Sequence, residues 1–193
     1  MSRAARRSCL AVPGSSERMI AKAQTLASDM FFLDLEDAVA PSAKVDARQA
    51  VARALVEGDW GTRIRSVRVN AFGTPWCADD VATVVQLAGA HLDTVMLPKC
   101  SSPDQVVWLD GALTELESSL GLDSGAIGIE VQIEDAKGLT CVDAISAASA
   151  RTQALHFGPG DFQASMGMPS VSLGQLQQIF GGCDVVKYCH GNI

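Results

Sequence analysis

The feature of this sequence that most limits its fold is the regular alternation of short apolar runs with helical stripes. Apolar runs typical of strands occur at residues 8–12, 30–35, 66–70, 94–98, 127–134 and 154–158. Between them, apolar residues recur at helical spacing, as at Val81, Val84, Val85 and Ala88. Strands that alternate with helices predict an α/β fold, a parallel sheet covered by helices. An open doubly wound sheet and a (β/α)₈ TIM-barrel both fit this pattern.

Composition and charge exclude several functional classes. The 193 residues are 48% hydrophobic and 5% aromatic, which suits one domain of helices packed on a sheet. A formal charge of −7 argues against binding to nucleic acid or to an anionic membrane surface. No apolar run approaches the length that spans a bilayer.

Cysteine usage and the amino terminus bear on location. The six cysteines include no Cys-x-x-Cys pair, so we expect reduced thiols in a cytoplasmic protein. The basic start "MSRAARR" leaves the mitochondrial matrix as the alternative. Nucleotide-binding motifs are missing, since no G-x-G-x-x-G opens the first helix and "VPGSSERM" lacks the Lys-Ser/Thr of a P-loop.

Charged side chains lie at, or just after, the carboxyl ends of five successive predicted strands. In chain order they are Asp34, Glu36 and Asp37, then Arg68, then Lys99, then Glu134 and Asp135, then Asp161 in "GPGD". The carboxyl ends of parallel strands meet at one edge, so these groups are expected to converge on one rim. Acids this close together need cations or hydrogen-bond donors to hold them.

A magnesium site is one explanation of that rim. Glu134 and Asp161 are suited to Mg²⁺, which prefers hard oxygen ligands and takes few of them from protein. Glu36 and Asp37 would then accept hydrogen bonds from metal-bound waters. Arg68 would hold an anionic substrate oxygen bidentately. On this hypothesis, a metal and its waters hold the acidic cluster.

Simpler interpretations remain for single residues. An acid at a strand end is commonly a helix N-cap or a surface group, and we expect this for Asp135. Lys99 is either a rim residue or merely solvated. Arg18 and Lys22 share one face of the first helix and either grip phosphates or form an exposed basic edge. His156 lies in an apolar strand, where a hydrogen-bonded core histidine is expected.

Six motifs together resemble a known family. They are "RRSCLAVPGSSERMIAKA", "FFLDLEDAVAPSAKVDAR", "SVRVNAFGT", "TVMLPKCSSPDQV", "VQIEDAKGL" and "LHFGPGDFQASMGM". In order and spacing they resemble the citrate lyase β-subunit-like and malyl-CoA lyase family, of the phosphoenolpyruvate-binding barrel superfamily. The resemblance covers roughly residues 6–174 and implies a (β/α)₈ barrel with about six of its eight units in the chain.

The resemblance implies an activity and a set of site residues. Family members split or form a C–C bond in a 3-hydroxyacyl-CoA such as malyl-CoA, citramalyl-CoA or citryl-CoA, using Mg²⁺. The oxo-acid product would be glyoxylate, pyruvate or oxaloacetate. By this resemblance, the metal ligands are Glu134 and Asp161, and the oxo-acid is bound by Arg68, Gly160 and Asp161. The residues that act in catalysis beside the metal are Arg68, Glu36 and Asp37. The CoA phosphates are bound by Arg18 and Lys22.

The sequence also departs from the family. Its members run further and add the last barrel units and a helical segment, which carries the acid/base aspartate to a neighbouring subunit in a homo-oligomer (a trimer or hexamer). Residues 1–174 are expected to form an incomplete barrel domain, and 175–193 an atypical tail outside the resemblance. The alternatives to a lyase are therefore a malyl-CoA-type thioesterase, a catalytically inactive Mg²⁺, oxo-acid and CoA-binding fragment, and a phosphoenolpyruvate-type enzyme.

Overall fold

The computed structural model describes residues 6–168. The predictions made for the tail at 175–193 lie outside these residues. In the described part, strands and helices alternate as the sequence predicts. Their bounds are β1 Cys9–Pro13, α1 Glu17–Gln24, β2 Met30–Asp34, α2 Lys44–Glu57, β3 Ile64–Arg68, α3 Cys77–Ala88, β4 Thr94–Leu97, α4 Pro103–Leu120, β5 Gly128–Ile133, α5 Ala136–Thr140, α6 Val142–Ala147, β6 Thr152–Phe157 and α7 Pro159–Ser165.

The order of the strands decides between the two folds that the alternation allows. The six strands lie in one sheet in the order β1-β2-β3-β4-β5-β6, and every neighbouring pair is parallel. A doubly wound sheet reverses its strand order at a switch point, whereas a barrel adds each strand beside the one before it. The described residues therefore follow the winding of a (β/α)₈ barrel, with six strands of its wall.

The two faces of the sheet differ in chemistry. In β5, Ile129, Val131 and Ile133 pack into the main core under the helices, whereas Glu130 and Gln132 occupy the alternate positions. All six residues of β5 are nevertheless buried. This alternation confirms the predicted two-sided strand, because successive side chains of a strand point to opposite faces.

The inner face of the sheet is partly apolar and partly polar. Met30, Ile64 and Met96 form a small separate cluster there. Glu130 is fully buried, and its Oε2 lies 2.5 Å from Nε2 of His156. His156 is thus hydrogen-bonded, as predicted, but it is half-buried and not a fully enclosed core histidine.

The helices begin and end at residues suited to those positions. In α4, the side chain of Ser102 caps the amino terminus by accepting from the Asp104 N–H, and Pro103 occupies the first turn. Gly121 ends the helix in the left-handed conformation, with φ of 67°. None of the described helices combines the length and the apolarity needed to cross a bilayer.

An ion-pair network ties the start of β6 to α4, at the end of the sheet opposite the acidic rim. The guanidinium of Arg151 donates to Glu117 Oε1 and Oε2 over 2.8 and 2.7 Å and to Asp110 Oδ1 over 2.6 Å. Glu117 is fully buried and also accepts from the N–H groups of Gly125 and Ile127. The hydrogen bonds of Arg151 lower the pKa of Glu117 although burial opposes this.

Candidate active site

The structure brings the predicted rim residues together at the carboxyl ends of the strands. Asp34 and Arg68 are the last residues of β2 and β3, and Glu134 directly follows β5. Lys99 lies two residues beyond β4, and Asp161 is in the first turn of α7. Asp135 instead caps α5 by accepting from the Gly138 N–H, as expected for an N-cap residue.

Asp34 and Arg68 form a bidentate pair at the base of this rim. Arg68 donates from Nε to Asp34 Oδ1 and from Nη2 to Oδ2, both over 2.7 Å. Asp34 also accepts from the N–H groups of Glu36 and Ala38. Burial would raise the pKa of Asp34, but these bonds keep it below its usual value. Asp34 is therefore a buried anion that orients the guanidinium.

Lys99 connects the acidic segment, residues 34–37, to the rest of the rim. Its Nζ donates to Glu36 Oε1 over 2.6 Å and to Asp37 Oδ2 over 3.0 Å, and lies 3.7 Å from Asp161 Oδ2. Burial lowers the pKa of Lys99, but the hydrogen bonds that its ammonium donates to Glu36 and Asp37 outweigh burial and raise the pKa overall. Lys99 is therefore charged and engaged with acids, so that of the two alternatives the rim residue is correct and the merely solvated lysine is not.

Glu134 is held from one side and left open on the other. Its Oε2 accepts from the backbone N–H of Lys99 over 2.9 Å, while its Oε1 has no hydrogen-bond partner among the described residues. Gly158 makes room for this carboxylate, because a Cβ at that residue would lie 2.2 Å from Oε1. Burial, followed by the nearby charges of Asp161 and Glu36, raises the pKa of Glu134 to about 7.

The cations that hold the acidic segment differ from those expected. A metal and its waters were predicted in this role, but Arg68 and Lys99 bind Asp34, Glu36 and Asp37 directly. A bidentate grip of Arg68 on a substrate is also not available in this arrangement, since Nε and Nη2 are taken by Asp34. The nitrogen of Arg68 that remains for a substrate is Nη1, which lies 3.4 Å from Gln132 Oε1 and 3.3 Å from Glu36 Oε2.

The remaining predicted residues are less engaged. Gly160 lies in the first turn of α7, and a Cβ there would meet nothing within 4 Å. Asp161 is half-exposed beside it. Arg18 and Lys22 are exposed on α1, which is joined to the carboxyl end of β1 by the short turn at residues 14–16. Their assignment to CoA phosphates stays a prediction.

The residues present fit a divalent cation. Among residues 6–168, the buried Glu36 Oε2 has an ion-pair partner, Arg68 Nη1 at 3.3 Å, but no hydrogen-bond partner, and burial raises the pKa of Glu36. The rim also carries more negative than positive charges, with five carboxylates against three cations: Asp34, Glu36, Asp37, Glu134 and Asp161 against Lys44, Arg68 and Lys99.

The protein ligands of such an ion would be few. Within residues 6–168, no three acidic, histidine or cysteine side chains are grouped so as to form a metal site on their own. Mg²⁺ does not require three, because it retains several waters and takes one or two carboxylates. Glu134 Oε1 and Asp161 are the carboxylates available for it.

Two residues of this site were not identified from the sequence. Lys44 is buried, and its Nζ donates to the carbonyl oxygens of Leu35 and Glu36 over 2.9 and 3.0 Å. Gly158 provides the space for Glu134. Glycines such as those of "GPGD" permit close approach of a group to the backbone, which is the signal that could have identified Gly158. The helical pattern of α2 gave no sign that Lys44 turns inward.

Comparison with known proteins identifies the family. The HpcH/HpaI aldolase/citrate lyase family matches residues 7–187, a range that includes residues beyond 174 left outside the resemblance above. The L-malyl-CoA/beta-methylmalyl-CoA lyase of Cereibacter sphaeroides is 39% identical over 166 residues, which are 86% of this chain and 52% of that protein. The (3S)-malyl-CoA thioesterase of the same species is 41% identical over 131 residues, 62% of this chain and 43% of that protein.

A solved structure supports the same assignment. The citrate lyase β subunit of M. tuberculosis, complexed with oxaloacetate and magnesium, superposes with a TM-score of 0.67 and 32% identity, covering 87% of this chain and 65% of that one. This confirms the α/β fold of the TIM-barrel type. The chain thus spans about half the length of the lyase and thioesterase it matches. It belongs to the HpcH/HpaI aldolase/citrate lyase family.

Proposed function

We propose that this chain carries the Mg²⁺ and oxo-acid site of a carbon–carbon lyase that acts on a 3-hydroxyacyl-CoA. The observation that carries the proposal is the rim itself, where Glu134 and Asp161 lie beside Arg68 and Lys99 with an excess of carboxylates. The related lyase is named for malyl-CoA, and the related citrate lyase subunit was solved with oxaloacetate and magnesium. A 2-oxo acid and an acyl-CoA are therefore the expected products.

The site residues divide the work as follows. Glu134 Oε1 and Asp161 would hold Mg²⁺, which when bound acts as a Lewis acid on the oxo-acid portion. Arg68 offers Nη1 to the oxygen that gains negative charge as the C–C bond breaks, with Asp34 fixing its orientation. The backbone N–H groups of Gly160 and Asp161 would donate hydrogen bonds to the substrate carboxylate.

The proton balance of cleavage sets a further requirement. The substrate hydroxyl loses its proton, the C–C bond breaks to give the oxo-acid carbonyl, and the acyl-CoA leaves as an enolate that is then protonated. In the rim, Asp34, Glu36 and Asp37 are all held by Arg68 or Lys99. We propose that the proton acceptor is a residue outside residues 6–168, in line with the acid/base aspartate implied by the resemblance.

Arg18 and Lys22 would hold the CoA phosphates from the exposed side of α1. A homo-oligomer and a cytoplasmic location remain our predictions for the assembly and its setting.

The test is a cleavage assay on the 193-residue chain with malyl-CoA, citramalyl-CoA and citryl-CoA, each with Mg²⁺ and with EDTA. EDTA-sensitive release of the oxo-acid together with the acyl-CoA would establish the lyase and would show that a proton acceptor is available to this chain. Glu134→Ala and Asp161→Ala should abolish it, and Asp143→Ala, which removes an exposed acid from α6, should not. Full activity in either rim variant would refute the metal site.

A thioesterase is the second candidate, favoured by the 41% identity to the malyl-CoA thioesterase. Free CoA appearing together with malate, and without glyoxylate, would establish it. A folded chain that binds Mg²⁺ but releases neither product would indicate a binding fragment instead.

A further inference from the structure

The backbone of Lys99 has a conformation that is rare for a lysine. Its φ is 51°, and within residues 6–168 it is the one residue other than glycine with a positive φ. A side chain with a Cβ is disfavoured there, and such residues cluster at functional sites, where the surrounding structure holds them in place. The disfavoured conformation of Lys99 thus lies at the rim, beside the carboxylates of the candidate site.

The left-handed conformation lets one residue contact four carboxylates. The backbone N–H of Lys99 donates to Glu134 Oε2 over 2.9 Å. The Nζ donates to Glu36 over 2.6 Å and to Asp37 over 3.0 Å, and lies 3.7 Å from Asp161. The next residue returns to the sheet, since the Cys100 N–H donates to the Gln132 carbonyl.

We propose that Lys99 is the positioning residue that determines which carboxylates of the rim are open to the divalent cation. Its ammonium neutralises Glu36 and Asp37, so that they do not bind the ion directly. Its backbone N–H takes up Oε2 of Glu134 and leaves Oε1 facing the site. The inference rests on the Mg²⁺ site of the proposed function and adds a role for a residue that does not itself bind the ion.

This role predicts opposite effects on metal affinity and on turnover. Removing Nζ would release Glu36 and Asp37 as additional ligands and would remove a positive charge next to Asp161. The divalent cation would then bind more tightly, but among a different set of carboxylates. Turnover would fall, because the ion no longer lies where the oxo-acid and Arg68 need it. A residue that only supported the fold would weaken both quantities together.

The experiment is a Mn²⁺ titration of the 193-residue chain, with free Mn²⁺ followed by electron paramagnetic resonance. Mn²⁺ suits the same carboxylate and water ligands as Mg²⁺. For Lys99→Met we expect the Kd to fall by about tenfold or more, since one charge within about 4–6 Å shifts an ionic equilibrium by roughly one to three powers of ten. Turnover at saturating metal should fall in the same variant.

Two further variants make the result decisive. Lys99→Gly also removes Nζ but relieves the backbone conformation, so it should fold and shift the Kd in the same direction. Lys137→Met removes one charge from the exposed face of α5 and should leave the Kd within about twofold of the wild type. An unchanged or raised Kd in a folded Lys99 variant would overturn this inference alone. Failure of the wild-type chain to bind Mn²⁺ would overturn the proposed metal site and the inference with it.

Discussion

Gly158→Ala offers the sharpest test of the Glu134 assignment. The new Cβ would lie 2.2 Å from Glu134 Oε1, 2.6 Å from its Cγ and 2.8 Å from its Cδ, where ordinary contact begins near 3.4 Å. The carboxylate would therefore have to withdraw by about 1 Å or more. The φ of Gly158 is −99°, so the alanine brings no left-handed strain, and the side chain of Glu134 has to yield.

The displacement has a calculable cost. Glu134 Oε2 would leave the Lys99 N–H, and a hydrogen bond to a charged group contributes about 1.5–3 kcal/mol. A misoriented carboxylate ligand lowers metal affinity by roughly 10–100-fold, the range found when the support of a ligand is lost. We expect the free energy of unfolding to fall by no more than about 3 kcal/mol and the Mn²⁺ Kd to rise by at least about tenfold.

Calorimetric Mn²⁺ titration and urea unfolding of the same samples measure both quantities. Gly160→Ala is the matched control, because its Cβ would meet nothing within 4 Å, and it should leave the Kd unchanged. A folded Gly158→Ala variant that binds Mn²⁺ as tightly as the wild type would show that Glu134 is not a ligand.

Three further perturbations test other parts of the structure. Arg151→Met should lower the free energy of unfolding by about 3–5 kcal/mol in urea, since it leaves the buried Glu117 without its cation; a loss under about 1 kcal/mol would contradict the network. Gly111→Ala, in the open interior of α4, should raise that free energy by about 0.5–1 kcal/mol, and a loss would show hidden crowding. Burial raises the pKa of Glu134 from 4.5 to about 7. Between these two pH values the metal-free folded chain holds a proton that the unfolded chain has lost, so the free energy of unfolding falls as the pH rises from 4.5 to about 7. Glu134→Gln, measured in EDTA, should therefore stabilise the chain at pH 8 by up to about 3 kcal/mol and have little effect at pH 4; the reverse pattern would refute the burial of this charge.

The sequence alone determined the features that arise from local patterns. The alternation of apolar runs with helical stripes predicted the strands and helices, because burial of one face imposes a period of two on a strand and 3.6 on a helix. The same alternation assigned Ile129 and Glu130 to opposite faces of β5. The charged residues after each strand predicted the rim, since parallel strands end at one edge.

Only the tertiary structure decided what holds that rim together. Strand order, which separates a barrel from a doubly wound sheet, depends on pairing between distant segments and leaves no local pattern. The Arg68–Asp34 pair joins residues 34 apart in sequence, and the Lys99–Glu36 pair joins residues 63 apart. A positive φ is signalled in a sequence by glycine, and here a lysine adopts it. Oε1 of Glu134, at the end of β5, has room only because Gly158, at the end of the neighbouring β6, carries no side chain. The chemistry of the site therefore depends on contacts between strand ends that no single segment of the sequence encodes.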